Sequence, residues 1–159
     1  MTEPDDSATN VYGIDAGGSH LPTPERRTMS ATDGSIELSL PADSRFMRLA
    51  RLMASGVATS VGLPLEEVED FRIAVDELCA TLIEMGDGQP LRLVFDLADD
   101  SVIVRATTRM GEHAAIDDER LALSRQILDV VTDGHDLAQD EGRMARFTAR
   151  KLVRGGGVG

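Results

Sequence analysis

Arg72-Ile73-Ala74-Val75-Asp76-Glu77-Leu78-Cys79-Ala80-Thr81-Leu82-Ile83-Glu84-Met85-Gly86 reads as the centre of one long amphipathic helix. Ala74, Val75, Leu78, Cys79 and Leu82 recur at steps of three and four, the period that stacks side chains on one helix face. Asp70, Glu77 and Glu84 follow at intervals of seven, with Thr81 four residues after Glu77, and make a polar stripe on the other side. On spacing alone that stripe is the solvated side of an amphipathic helix. Upstream, Pro64 suits a first helical turn, because its fixed φ is helical and its missing N–H would have lacked a partner anyway. Glu66, Glu67, Glu69 and Asp70 then favour the positive end of the helix dipole. Gly86-Asp87-Gly88 ends the segment.

Working outward toward the N-terminus, Phe46, Leu49, Ala50, Met53 and Val57 predict another helix, capped by Asp43 or Ser44 and finished near Gly62. Before it, Ser35-Ile36-Glu37-Leu38-Ser39-Leu40 alternates as a strand does, with Ile36, Leu38 and Leu40 on one face. Toward the C-terminus, Leu91, Leu93, Phe95 and Leu97 alternate with polar neighbours, and Ser101 to Ala106 repeats the pattern after an Asp99-Asp100 turn. An irregular stretch leads to Asp117 or Asp118 as a cap, and Leu121, Leu123, Ile127, Leu128 and Val131 predict a third helix. Two last strands, around His135 to Gln139 and Met144 to Leu152, flank Asp140-Glu141-Gly142, where Gly142 permits a tight turn.

This order of elements predicts an α+β fold, a two-layer sandwich with three helices over one face of a mixed, mostly antiparallel sheet. Residues 35–153 form the expected domain. Residues 1–34, with scattered apolar positions, read as a disordered leader, and residues 154–159 as a Gly-rich flexible tail.

The 159 residues carry 28 Asp and Glu against 16 Lys and Arg, a net charge of -12, which repels a phosphate backbone and favours a basic protein surface as partner. With no Trp, one Tyr and four Phe, the chain also lacks a stacking platform for single-stranded nucleic acid. No run approaches the roughly 18 apolar residues of a membrane span. Cys79 is the only cysteine, which rules out an internal disulfide and fits a reducing cytoplasm. At a position on the apolar side of its helix it reads as a small hydrophobe. His20, His113 and His135 are too scattered to suggest a metal site.

The stretch from Arg72 to Gly86 resembles the N-box helix of RsbW/SpoIIAB-type anti-sigma factors, which belong to the GHKL group of ATPases. The order of elements over residues 35–153 is similar to that family as well. The resemblance implies the histidine-kinase-like (Bergerat) fold. It implies that Glu77 is the general base for phosphorylating a serine on an antagonist protein, and that Thr81 stands where an asparagine holds magnesium in a Mg-ATP site. Phe46-Met47-Arg48-Leu49 resembles the segment that presents an arginine to the sigma factor, which assigns that role to Arg48, with Arg45 and Arg51 flanking it. Taken singly, Arg48 reads equally as an exposed helix arginine with no partner. The partners implied are an alternative sigma factor of the SigB/SigF kind, a STAS-type anti-anti-sigma factor and a second copy of the chain.

The sequence departs from the family's pattern at four places. Thr81 lacks the amide carbonyl of asparagine. Ala106 occupies the position of an adenine-binding aspartate and cannot accept a hydrogen bond. Asp117-Asp118-Glu119 replaces a glycine-rich entry into the following helix, setting carboxylates where phosphates would lie. Gly142-Arg143 keeps only the glycine of a late Gly-Thr element. The expectation is therefore an anti-sigma factor that binds its partner and has an eroded nucleotide site. An active ATP-dependent serine kinase is the alternative.

Overall fold

The computed structural model describes residues 34–112, 114, 117–140 and 142–154. The leader and tail expected at the two ends lie outside the described residues, except that Gly34 opens the first strand and Arg154 pairs with Asp133 at 2.6 Å. Strand β1 (Gly34–Leu40) leads through one 3-10 turn (Ser44–Phe46) into α1 (Met47–Ser60) and α2 (Leu65–Met85). The hairpin β2 (Leu91–Ala98) and β3 (Ser101–Arg109) follows, then α3 (Asp118–Val131), β4 (Gly134–Gln139) and β5 (Met144–Leu152). The architecture is the α+β sandwich that the pattern predicts, a five-stranded sheet of order β1-β2-β3-β5-β4 with three helices.

Where the sequence predicts a mixed sheet, all four pairings are antiparallel. β3 and β4 run parallel and are joined through α3, as in a crossover unit. β5 inserts between them, and one would-be parallel pair becomes two antiparallel ones.

Alternation sends Leu91, Leu93 and Phe95 of β2, Val102, Val104, Ala106 and Thr108 of β3, and Ala145, Phe147 and Ala149 of β5 to the inner face. There they meet α2, which buries Val68, Phe71, Ala74, Val75, Leu78, Cys79, Leu82 and Met85. Phe71 and Phe95 meet edge to face, their centroids 6.3 Å apart. Each Leu or Phe removed from water here contributes about 1.5–3 kcal/mol, so this layer holds the sandwich together. Lys151 ends the inner face of β5 and is buried. Its Nζ lies 2.5 Å from Glu67 in an ion-pair contact, and it donates to Asp70 and to the Val131 carbonyl, both at 3.1 Å. Burial disfavours its charge, but hydrogen bonds to Glu67 and Asp70 and their charges overcome this and raise its pKa. One cation thus joins the start of α2, the end of α3 and β5.

Several details differ from the sequence expectation. In α1 the buried stripe is Ala50, Ala54, Val57 and Ala58, while Leu49 is exposed. Small side chains and Val57 fill the inner side, Met53 is partly buried against the core, and Leu49 and Leu52 stand outward. Ile36, expected on the covered face, is 38% exposed, because β1 is an edge strand of the sheet. β3 runs on to Arg109 rather than stopping at Ala106, since Thr107, Thr108 and Arg109 pair with β5. In α3 the buried residues include Ser124 and exclude Leu123. In the last turn the left-handed residue is Arg143 (φ 60) rather than Gly142. Its backbone is fixed by bonds at both ends, Arg143 N–H to the Asp140 carbonyl and Met110 N–H to the Arg143 carbonyl.

Candidate functional site

The polar stripe of α2 faces α3. Glu77 Oε1 accepts a hydrogen bond from Ser124 Oγ at 2.6 Å and lies 2.5 Å from Arg120 Nη1. Arg120 Nη1 also donates to Ser124 Oγ at 2.6 Å, and its Nε donates to Glu84 at 3.0 Å. Thr81 Oγ1 lies 2.9 Å from the Glu77 carbonyl and 3.0 Å from Ser124 Oγ, so its single hydrogen serves one of the two. Residues at positions 77, 81 and 84 share a helix face by their four- and three-residue steps, as do 120 and 124 on α3. The two faces close as one polar seam.

Thr81 is 2% exposed and Ser124 1%. Burial pushes the Glu77 carboxyl up, but hydrogen bonds from Ser124 and Arg120, the Arg120 charge and a contact from Thr81 outweigh it and hold the carboxyl below its usual range. Burial likewise opposes the Arg120 charge, and Glu77 and Glu84 more than compensate, raising its pKa. Glu77 is therefore a fixed carboxylate, already neutralised by a guanidinium.

The resemblance places Mg-ATP beside this seam, and as they stand its residues do not fit that group. Thr81, at the magnesium position, is buried with its hydroxyl engaged. Ala106 is fully buried on β3 opposite Leu93 and Phe147, with no polar atom on its side chain to offer adenine. Asp117 caps α3 by accepting from Glu119 N–H at 3.0 Å, and Asp118 and Glu119 occupy the first turn. That end of the helix, ordinarily receptive to anions, is already supplied with carboxylates. Around the end of α2, Gly86 bridges to Met110, and a Cβ on Gly86 would meet the Leu82 carbonyl at 3.1 Å. Gly111 N–H donates to the Met85 carbonyl, and the Arg143 guanidinium to the Gly111 carbonyl. The end of β3 and the turn before β5 are thus knitted to the end of α2.

The arginines singled out on α1 form a second cluster, separate from the Glu77 seam. Arg45 turns back onto Asp43, with Nη2 2.6 Å from Oδ2, while Arg51 reaches Asp76 on α2 at 2.5 Å and Arg72 reaches Glu69 at 2.6 Å. Arg48 is exposed and, among the described residues, makes no ion pair. With Arg51, Leu52, Ser55 and Arg72 it lines a hollow of about 390 Å³ between the two helices. Leu52, 68% exposed, also lines an apolar groove with Ile36, Leu38, Leu49 and Met53.

Arg120 and Ser124 have no role in the sequence reading, which sees a run of charge and a non-apolar residue. The signal lay in the spacing Leu121, Ser124, Leu128, Val131, which sets a serine inside an otherwise apolar stripe. Cys79 is buried, and desolvation pushes its thiol up to about 12. His20 and His113 lie outside the described residues; His135 Nδ1 is 3.8 Å from Asp129. Among the described residues, no cluster of three or more His, Cys, Asp and Glu side chains is placed to hold a metal ion.

No family model matches the chain. Individual relatives do. A curated serine-protein kinase RsbW from Halalkalibacterium halodurans is 30% identical over 123 residues, covering 75% of this chain and 72% of the relative. RsbW of Bacillus pumilus is 39% identical over 56 residues, 35% of each protein. Among solved structures, the RsbU and RsbW domains of a Mycobacterium tuberculosis protein superpose with a TM-score of 0.60 at 17% identity, covering 76% of this chain and 33% of that longer one. A chain of the SiaB-SiaC complex from Pseudomonas aeruginosa gives a TM-score of 0.51 at 10% identity over 74% of this chain and 89% of that one. At these identities the structural similarity is one of fold.

Proposed function

Because the chain belongs to the RsbW family of serine-protein kinases, we propose that it is an anti-sigma factor, one that binds and inhibits an alternative sigma factor of the SigB/SigF kind and is countered by a STAS-type anti-anti-sigma factor. It does so by binding, without a phosphorylation step. The observation that carries this reading is the Glu77 carboxylate held by Arg120 and Ser124. A general base must reach the proton it removes, and this one already accepts from two donors of its own chain.

Arg48 supports the partner assignment. Among the described residues it is the arginine of its cluster without a carboxylate, and a carboxylate on the sigma factor can supply a charge-assisted, bidentate bond. Such a partner places the protein in the cytoplasm, where it acts as a homodimer. No helix among the described residues is long and apolar enough to cross a membrane.

Two measurements test the reading. Purified protein should capture and inhibit a group-three sigma factor of its host; failure with every such factor rejects it. Titration with magnesium and ATP should give no heat at millimolar nucleotide, and transfer of phosphate to a STAS protein would overturn the binding-only mechanism. The second reading, an active serine kinase, is favoured by the presence of Glu77 at the N-box position. It requires Arg120 to leave that carboxylate when ATP and the antagonist arrive.

A further inference from the structure

The outer face of the sheet is basic, in a chain whose net charge is -12. Alternation turns Arg92 of β2, Arg105 and Arg109 of β3, and Arg146 and Arg150 of β5 away from the helices, and all five are exposed. The register sets three of them around one residue. Thr107 pairs with Arg92 on one side and with Arg146 on the other, and Arg105 lies two residues away along β3. Diagonal neighbours on adjacent strands stand about 7–8 Å apart, within reach of one another's long side chains. Arg92, Arg105 and Arg146, with Val94, Thr107 and Met144, line a hollow of about 250 Å³.

Their carboxylate partners stand at the edges of the hollow and are not among its lining residues. Glu37 on β1 takes Nε and Nη2 of Arg92 at 2.5 and 2.7 Å, so Nη1 is not engaged by it. Asp96 contacts Arg105 from the next row of β2, and Asp140 comes no nearer to Arg146 than 4.0 Å. Each guanidinium carries five N–H donors, more than one carboxylate takes, so an anion between the three finds donors to spare. The volume falls below the range of drug-sized ligand sites and suits one compact, highly charged group.

We propose that this hollow is an anion site, in which Arg92, Arg105 and Arg146, with the Thr107 hydroxyl, bind the phosphoryl group of inorganic phosphate, pyrophosphate or a small phosphorylated metabolite. Guanidinium forks match tetrahedral phosphate oxygens, and a threonine hydroxyl adds a further donor. The site lies on the face of the sheet opposite α2 and α3 and does not depend on the anti-sigma assignment.

Titration of the full chain with pyrophosphate, at an ionic strength held constant with sodium chloride, tests it. The expected result is saturable one-to-one binding that weakens about tenfold or more in Arg146→Gln, the loss expected for one charge-assisted hydrogen bond. Arg150→Gln, on the same face but outside the hollow, should change affinity less than about twofold. Thermal melts of both variants check that the sheet is intact, and both replace exposed side chains. Repeating the titration with inorganic phosphate and with glycerol phosphate separates a free ion from a metabolite-borne group by which binds more tightly. Absence of saturable binding at millimolar pyrophosphate, binding that survives Arg146→Gln, or equal weakening by Arg150→Gln would each overturn the proposal.

Discussion

Ser124 Oγ donates to Glu77 Oε1 at 2.6 Å, a bond between residues 47 apart in sequence that fastens α3 to α2. The bond is partly shielded from water, since Ser124 is buried and Glu77 partly so, and it is doubled by the ion pair from Arg120. The consequence is mechanical as well as chemical. α3 is held against the polar stripe of α2.

Removing either donor should therefore loosen the sandwich. Ser124→Ala leaves Glu77 with one fewer donor and Thr81 with only the Glu77 carbonyl as a close partner, and Arg120→Met leaves a partly buried carboxylate without its guanidinium. Each should cost about 1–3 kcal/mol in urea unfolding. The double variant should lose less than the sum, because the two donors serve one acceptor. Strict additivity would show that the seam is not a unit.

The same seam sets a pH dependence. The folded-state pKa of Glu77 lies below the ordinary value of 4.5, so the unfolded chain takes up this proton first as the pH falls. Its contribution is complete above about 4.5 and disappears as the pH drops through the folded value. Glu77→Gln should flatten that part of the acid limb of stability against pH. An acid limb identical to that of the parent would mean that other carboxylates, such as Asp133 with its lowered pKa, account for it.

Cys79 gives a probe of global opening. Fully buried and with its thiol pushed up to about 12, it should resist a thiol reagent at neutral pH in the native protein. Labelling should proceed at the rate of unfolding and accelerate with denaturant. Rapid labelling in native buffer would show that α2 opens locally.

On α1, Arg48→Glu should abolish capture of the sigma factor, since it reverses the unpaired charge of the cluster. Arg45→Glu should matter much less, because Arg45 is already tied to Asp43. Competition binding of the two variants separates them, and equal effects would remove Arg48 from the interface.

The inner side of the same helix predicts the opposite sensitivity. Ala54 is fully buried, and Ala54→Leu should destabilise by about 1–3 kcal/mol through overpacking, whereas Leu52→Ser, at an exposed position, should leave the melting temperature nearly unchanged. Matched melts of the two variants decide this.

Much of this molecule was legible before its structure. The helix from Pro64 to Gly86, the Asp99-Asp100 hairpin and a cap at Asp117 or Asp118 follow from periodicity and turn chemistry, and each is present, the cap at Asp117. What pattern could not give was what stands opposite what. β5 slots between β3 and β4 by long-range pairing that local preferences do not encode, and that pairing carries β3 on to Arg109. On α1 the expected stripe caught Ala50 and Val57 but included the exposed Leu49 and passed over Ala54 and Ala58, because large apolar residues dominate a periodicity count. Glu77 and Thr81 were found by resemblance, but Arg120 and Ser124, which decide their state, became visible only when α3 was laid across α2.

The alanines Ala50, Ala54 and Ala58 divide the labour of α1 between its two sides. One side is held by tight packing of these alanines and Val57 and tolerates little enlargement; the other, with Arg48, Leu52 and Ser55, can change without disturbing the core. Substitutions on that outer side can therefore alter what the helix meets without altering how it packs.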